Sequence, residues 1–219
     1  MLNQSFDEKT LLKLTTKKEI INFKLGRNTN EYVESLKSIA KKINNDSFSF
    51  STINSFQYNG KIIYKINSPE ECYTIKKISD NIKRLYKIKF SSKEDIVNQV
   101  INILSDTSSY RVFRLDVKEF FESIDFKSVL DKLSADNILS NSSLSKLHNL
   151  RQQLPSYFRG LPRGLAISSV LAELYMEEID NIIRSEIGIY FYARYVDDII
   201  IVLHDENIDM TYFEKNILK

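Results

Sequence analysis

"YARYVDDIII", residues 192 to 201, sets two neighbouring aspartates, Asp197 and Asp198, in a stretch whose other members are almost all strand formers. The apolar runs "IGIYFYARYV" and "DIIIVLH" meet at this acidic pair, so the pattern predicts a hairpin whose carboxylates project at the rim of a sheet. Adjacent carboxylates repel one another unless a cation neutralises them, and Mg²⁺ is held by carboxylates together with waters and phosphate oxygens. Taken alone, the dipeptide reads first as a solvent-exposed turn pair.

A third acid stands far back in the chain. Asp116 closes "YRVFRLDV", residues 110 to 117, which reads as a buried strand. If that strand neighbours the hairpin, three carboxylates converge as the protein half of a site whose two ions lie about 3.5 to 4 Å apart.

The rest of the chain bounds the setting. Its 219 residues, 42% hydrophobic and 27% charged, suit one large domain or one and a half small ones. No apolar run reaches eighteen residues and no secretory leader opens the chain, so the expectation is a soluble cytoplasmic protein with no membrane contact. Cys72 is the single cysteine and is read as a small apolar residue; His148 and His204 lack ligand spacing and are read as structural. Bulk charge, 31 basic against 29 acidic residues, does not announce a nucleic-acid binder. Residues 76 to 93, "KKISDNIKRLYKIKFSSK", concentrate Lys and Arg around Tyr86 and Phe90, which suits either a surface tracking a phosphate backbone or a solvated basic face.

Apolar spacing predicts one helix ending at Gly26 and another beginning near Asn30. Asn59-Gly60, between alternating segments of 47 to 67, predicts a hairpin, and Pro69 a short helix after it. Further helices are predicted over 92 to 105, from about 126 with Asp125 as cap, and over 142 to 153, 166 to 185 and 208 to 218. The sum is mixed α and β, a sheet backed by helices.

"RLDVKEFFESID", "GLPRGLAISSVLAELYM" and "YARYVDD" follow one another in this order, and together they resemble the palm motifs of reverse transcriptases. The resemblance covers about 84 to 204. It implies an α+β right-hand polymerase with an antiparallel palm sheet backed by helices: a helical region over 1–46, fingers over 47–109 and a palm over 110–219, with no thumb after it. It also implies an RNA-directed DNA polymerase using Mg²⁺, or Mn²⁺, an RNA template, a DNA primer or product, and dNTPs.

Individual residues take expected roles from the resemblance. Asp116, Asp197 and Asp198 match the catalytic carboxylates, with the carbonyl of Val117 as a further metal ligand. Phe121 matches the aromatic that leaves no room for a 2′-hydroxyl, whereas Phe120 is read as core. Tyr195 is expected under the primer terminus, and Lys83, Arg84 and Lys87 at the triphosphate. Gly164 and Arg163 belong to the loop beside the templating base pair. Arg163 stands where glutamine is usual, and Ala166 and Ser169 stand where prolines are usual; an arginine there brings a fixed charge that would clamp the triphosphate or the template backbone.

The variant loop resembles bacterial defence-associated and abortive-infection reverse transcriptases, which implies an antiphage role with a noncoding RNA or a second protein subunit as partner. Two other readings compete. One is an RNA polymerase or nucleotidyl cyclase on a related palm, which Phe121 and the L-P-x-G loop oppose. The other is a truncated, non-catalytic palm that binds RNA or assembles with another subunit, which the missing thumb favours.

Overall fold

The computed structural model describes residues 2–51, 53–105 and 109–204. In chain order the elements are α1 (Glu8–Leu14), α2 (Lys17–Phe23), α3 (Thr29–Ile43), β1 (Ile53–Tyr58), β2 (Lys61–Ile66), α4 (Pro69–Leu85), α5 (Lys93–Leu104), β3 (Arg111–Asp116), α6 (Phe120–Ser123), α7 (Phe126–Asp136), α8 (Asn141–Gln153), α9 (Ala166–Ser185), β4 (Ile189–Tyr195) and β5 (Asp198–Leu203). The fold is α+β, with antiparallel sheets only among the described residues. The helix expected over 208 to 218 lies outside the described residues. No helix among them is long and apolar enough to cross a membrane.

Local chemistry accounts for most boundaries. Asn59 and Gly60 both have positive φ, 48° and 75°, as a type I′ turn between Tyr58 and Lys61 requires. Asp125 caps α7 by accepting from the backbone N–H of Lys127 and Ser128. The single helix expected before Gly26 is instead two. Thr15 ends α1, and Thr16 opens α2 in a capping box with Glu19, so two polar caps interrupt an otherwise continuous apolar pattern.

The chain forms two compact units, each assembled from two separate segments. The first comprises 1–88 and 121–172. Here α1, α3 and α4 pack on one another, burying Leu11, Leu36, Ile43, Ile78 and Ile82, and α7 packs on α8. With Ser68 as cap and Pro69 in its first turn, α4 runs for 17 residues rather than the short helix expected. Its early lysines face inward. Lys77 is 2% exposed and donates to the carbonyl of Asn3, while Lys76 pairs with Glu19 at 2.9 Å. Residues 76 and 77 therefore leave the basic surface proposed for 76 to 93, because an amphipathic helix must bury one face whatever its composition.

The described residues within 89–120 and 173–219 form the second unit. Its sheet has the order β3-β5-β4. Ile199, Ile201 and Leu203 of β5 are buried, with Phe113 and Leu115 of β3 and Ile179 and Ile183 of α9 packed against them. The expectation of a buried β3 is corrected: it lies at the sheet's edge, and only alternate residues, Phe113 and Leu115, meet the core. An apolar run of mixed composition disguised a period of two.

Truncating Ile201, which is fully buried, is expected to cost about 2–5 kcal/mol of stability as Ile201→Ala. Ile187→Ala, at a residue 96% exposed, is expected to stay within about 0.5 kcal/mol. Urea unfolding of both variants checks the pair of values.

Candidate active site

Residue Val196 decides how the aspartates are presented. The hairpin from β4 to β5 pairs Tyr195 with Asp198, leaving Val196 and Asp197 as a two-residue loop. Val196 has φ +58° and Asp197 does not share the positive sign. One positive φ at the first loop position is the II′ pattern, where glycine is usual. A β-branched residue in that region costs on the order of 1–3 kcal/mol, so the turn is strained.

Across the sheet, Asp116 is the register partner of Asp198. Directly opposed residues of antiparallel strands share a face, so these two side chains project on the side away from Phe113 and Leu115. The backbone continues the pairing one step further, with the Val117 N–H donating to the carbonyl of Asp197 at 3.1 Å. Arg114, Ile200, Ala193 and Tyr195 occupy the same face, beside a cavity of about 290 Å³ that Ile96 of α5 also lines. Arg114 donates to Asp198 Oδ1 from Nη2 at 3.0 Å and from Nε at 3.3 Å. Its side chain is 75% exposed, and a pair in that setting is worth about 0–1 kcal/mol.

Among the described residues no three His, Cys, Asp or Glu side chains gather closely enough to hold a metal ion. Asp116 and Asp198 are opposed, and Asp197 follows in the turn. Opposed positions have Cβ atoms about 4.5–5.5 Å apart, a span over which two carboxylates can reach a common small cation by rotamer change.

In the first unit, residues 160 to 164 are strapped between two backbone segments. The Leu161 N–H donates to the carbonyl of Phe121 at 2.7 Å, and the Tyr64 N–H donates to the carbonyl of Arg163 at 2.7 Å. A Cβ at Gly160 would come within 2.6 Å of Glu122 Cα, and one at Gly164, whose φ is +97°, within 2.6 Å of the Tyr64 carbonyl oxygen. Both glycines thus serve close approach of the chain to itself. The strap places Arg163 against Glu122 in a two-pronged fork, 3.0 Å at each bond, with its guanidinium 5.0 Å from the centroid of the half-buried Phe121 ring. Arg163 is therefore a countered cation, stacked on an aromatic face.

Lys83 and Arg84 are exposed in the last turn of α4, and the exposed Lys87 follows it. Arg84 lies 3.8 Å from Asp80. Phe120 is 2% exposed, in line with its reading as core. His204 packs against both rings of the stacked pair Tyr110 and Tyr190.

A buried network behind the hairpin had not been foreseen. Arg194, 5% exposed, forms forks with both Asp180 and Glu173 of α9, and Nη1 also reaches the carbonyl of Val196 at 2.9 Å. Tyr192 donates to Asp180 at 2.6 Å, and burial pushes its phenol pKa up. Burial works against the Arg194 charge too, but the bonds it donates to Asp180 and Glu173 outweigh it and raise its pKa. The available signal was a charged residue inside an apolar strand, since such a residue is almost never buried without a partner.

The second unit thus presents the hairpin's carboxylates and Asp116 of the neighbouring strand at the end of a helix-backed antiparallel sheet. The chain belongs to the reverse transcriptase family: the family model described as reverse transcriptase (RNA-dependent DNA polymerase) matches residues 15–216. Two solved structures, a Cas6-RT-Cas1–Cas2 complex and a partial form of it, are similar over 91% of this chain at 14% identity with a TM-score of 0.42. The chain spans 23% and 37% of the respective matched chains. No curated protein matches it.

The Glu122 fork makes a pH prediction. The Arg163 hydrogen bonds hold the Glu122 carboxyl below its ordinary value of 4.5, against the opposing effect of burial. A depressed carboxylate stabilises the fold above the unfolded pKa and loses that contribution as pH falls through the folded one. The stability gap between wild type and Glu122→Gln is expected to narrow as pH falls through and below 4.5, read from urea midpoints; a gap constant with pH would show that the carboxylate's charge contributes nothing.

Proposed function

We propose that this reverse transcriptase family member adds deoxynucleotides to a DNA primer or product on an RNA template, in bacterial antiphage defence. The observation that supports the reading best is the register of β3 with β5, which sets Asp116 opposite Asp198 with Asp197 in the adjoining turn. In this reading Asp116, Asp197 and Asp198 hold Mg²⁺ or Mn²⁺, with the carbonyl of Val117 as a further donor. Bound divalent ions would supply charge neutralisation at the phosphates and an acidified attacking hydroxyl.

The chain's own residues do the rest. The sheet holds the carboxylates on a rigid mount, so little reorganisation is needed when charge develops on the phosphates. Tyr195, on the same face as Asp198, supports the primer terminus. Phe121 closes the space a 2′-hydroxyl would need, and Arg163 and Gly164 form the loop beside the templating pair. Lys83, Arg84 and Lys87 meet the triphosphate. Residues 47–109 act as fingers, 110–219 as palm and 1–46 as a helical appendage. An RNA, a noncoding RNA or a second protein subunit completes the assembly in the cytoplasm.

A second reading, a palm that binds RNA without catalysis, draws support from the engagement of Asp198 by Arg114. One experiment separates the two. The expected result is Mg²⁺- or Mn²⁺-dependent dNTP incorporation that Asp197→Asn reduces roughly 100-fold or more, the scale on which loss of one charge-stabilising group acts. RNA binding without incorporation by wild type would favour the binding module. Phe121→Ala is expected to admit ribonucleotides, and a wild type that already uses rNTPs and dNTPs equally would refute the steric role.

A further inference from the structure

We infer that Arg194 is a positioning residue that pins the aspartate turn through the carbonyl of Val196. All five guanidinium N–H groups are committed: Nε and Nη2 to the two oxygens of Asp180, Nη2 and Nη1 to the two oxygens of Glu173, and Nη1 to the carbonyl of Val196. Charge compensation does not explain the last of these bonds. Two carboxylates already exceed one positive charge, and both come from α9, two helical turns apart. The fifth bond instead runs from this rigid mount to the one residue of the turn that stands in the left-handed region.

Strain of this kind persists only where the surroundings over-determine it. A valine at φ +58° would relax toward the extended region if its carbonyl were released, and rotation there would carry Asp197 with it. The Val117 N–H fixes the carbonyl of Asp197 from the other side. Arg194 and Val117 thus hold successive peptide groups around the acidic pair. A buried ion pair is weak support for stability by itself, because desolvation offsets much of its attraction, so a positional role accounts better for so complete a set of bonds. The inference extends the reading of Asp197 and Asp198 as metal-holding carboxylates, and one arm of its test does not depend on that reading.

The test uses the full chain in three forms: wild type, Arg194→Lys and Glu173→Gln. Lysine keeps the charge but has three donors on one atom, too few to grip both carboxylates and reach the Val196 carbonyl. Glu173→Gln leaves the Asp180 fork and the Val196 bond in place. In hydrogen-exchange mass spectrometry, amides of 195–198 are expected to exchange about tenfold faster in Arg194→Lys, with 111–116 and α9 unchanged. Glu173→Gln is expected to lower the melting temperature without that selective loosening.

Adding Val196→Gly to Arg194→Lys is expected to restore protection, since glycine takes positive φ without strain. Mn²⁺ affinity is expected to fall about tenfold in Arg194→Lys and to return with the glycine. Unchanged exchange at 195–198 in a folded Arg194→Lys overturns the inference. So does loosening spread equally over β3 and α9, or failure of that variant to fold, either of which makes Arg194 purely structural. Selective loosening with no Mn²⁺ binding even by wild type upholds the positioning role and removes the metal reading.

Discussion

The register between β3 and β5 is the constraint on which the acidic corner depends. Side chains alternate with a period of two, so a slip of one residue would turn Asp116 toward the helix and Leu115 toward water. Burial of Phe113, Leu115, Ile199, Ile201 and Leu203 against Ile179 and Ile183 makes that slip costly. The apolar pattern behind the sheet thus holds the carboxylates in front of it. The placement of charged side chains is specified by residues that carry no charge.

Most of the fold was legible because its signals are local. Asn59-Gly60 dictates its turn through φ, Asp125 and Ser68 cap through side-chain oxygens, and α9 spans the predicted residues. The failures came where a local pattern had two continuations. Apolar spacing ran through Thr15 and Thr16, yet the Thr16–Glu19 box stopped it. Lys76 and Lys77 look like surface in a basic run, but tertiary packing gave them Glu19 and a carbonyl of the N-terminal segment as partners. Nothing within a window of ten residues reveals that.

The site divides along the same line. Asp116, Asp197 and Asp198 could be singled out because order and spacing are properties of the sequence. The partners that set their surroundings could not. Glu122 lies forty-one positions from Arg163, and Arg114 eighty-four from Asp198. Arg194 was the exception in principle: a lone arginine between Ala193 and Tyr195, in a strand that must be half buried, asks for carboxylates on the element behind. Glu173 and Asp180, seven residues apart on one face of α9, were the candidates to answer it.

Pairing changes what the cations of these motifs can do. Arg163, read from its position as a charge aimed at phosphates, already spends both prongs of its fork on Glu122 and lays its plane over Phe121. A phosphate that takes the Nε–Nη2 edge must displace a half-buried carboxylate, so the gain there is a difference between two charge-assisted bonds rather than the whole of one. Arg114 differs in degree. Its pair with Asp198 is open to water, worth little, and readily exchanged for another partner. The same residue type therefore fixes geometry where the pair is shielded, as at Arg163 and more completely at Arg194, and remains exchangeable where solvent screens it.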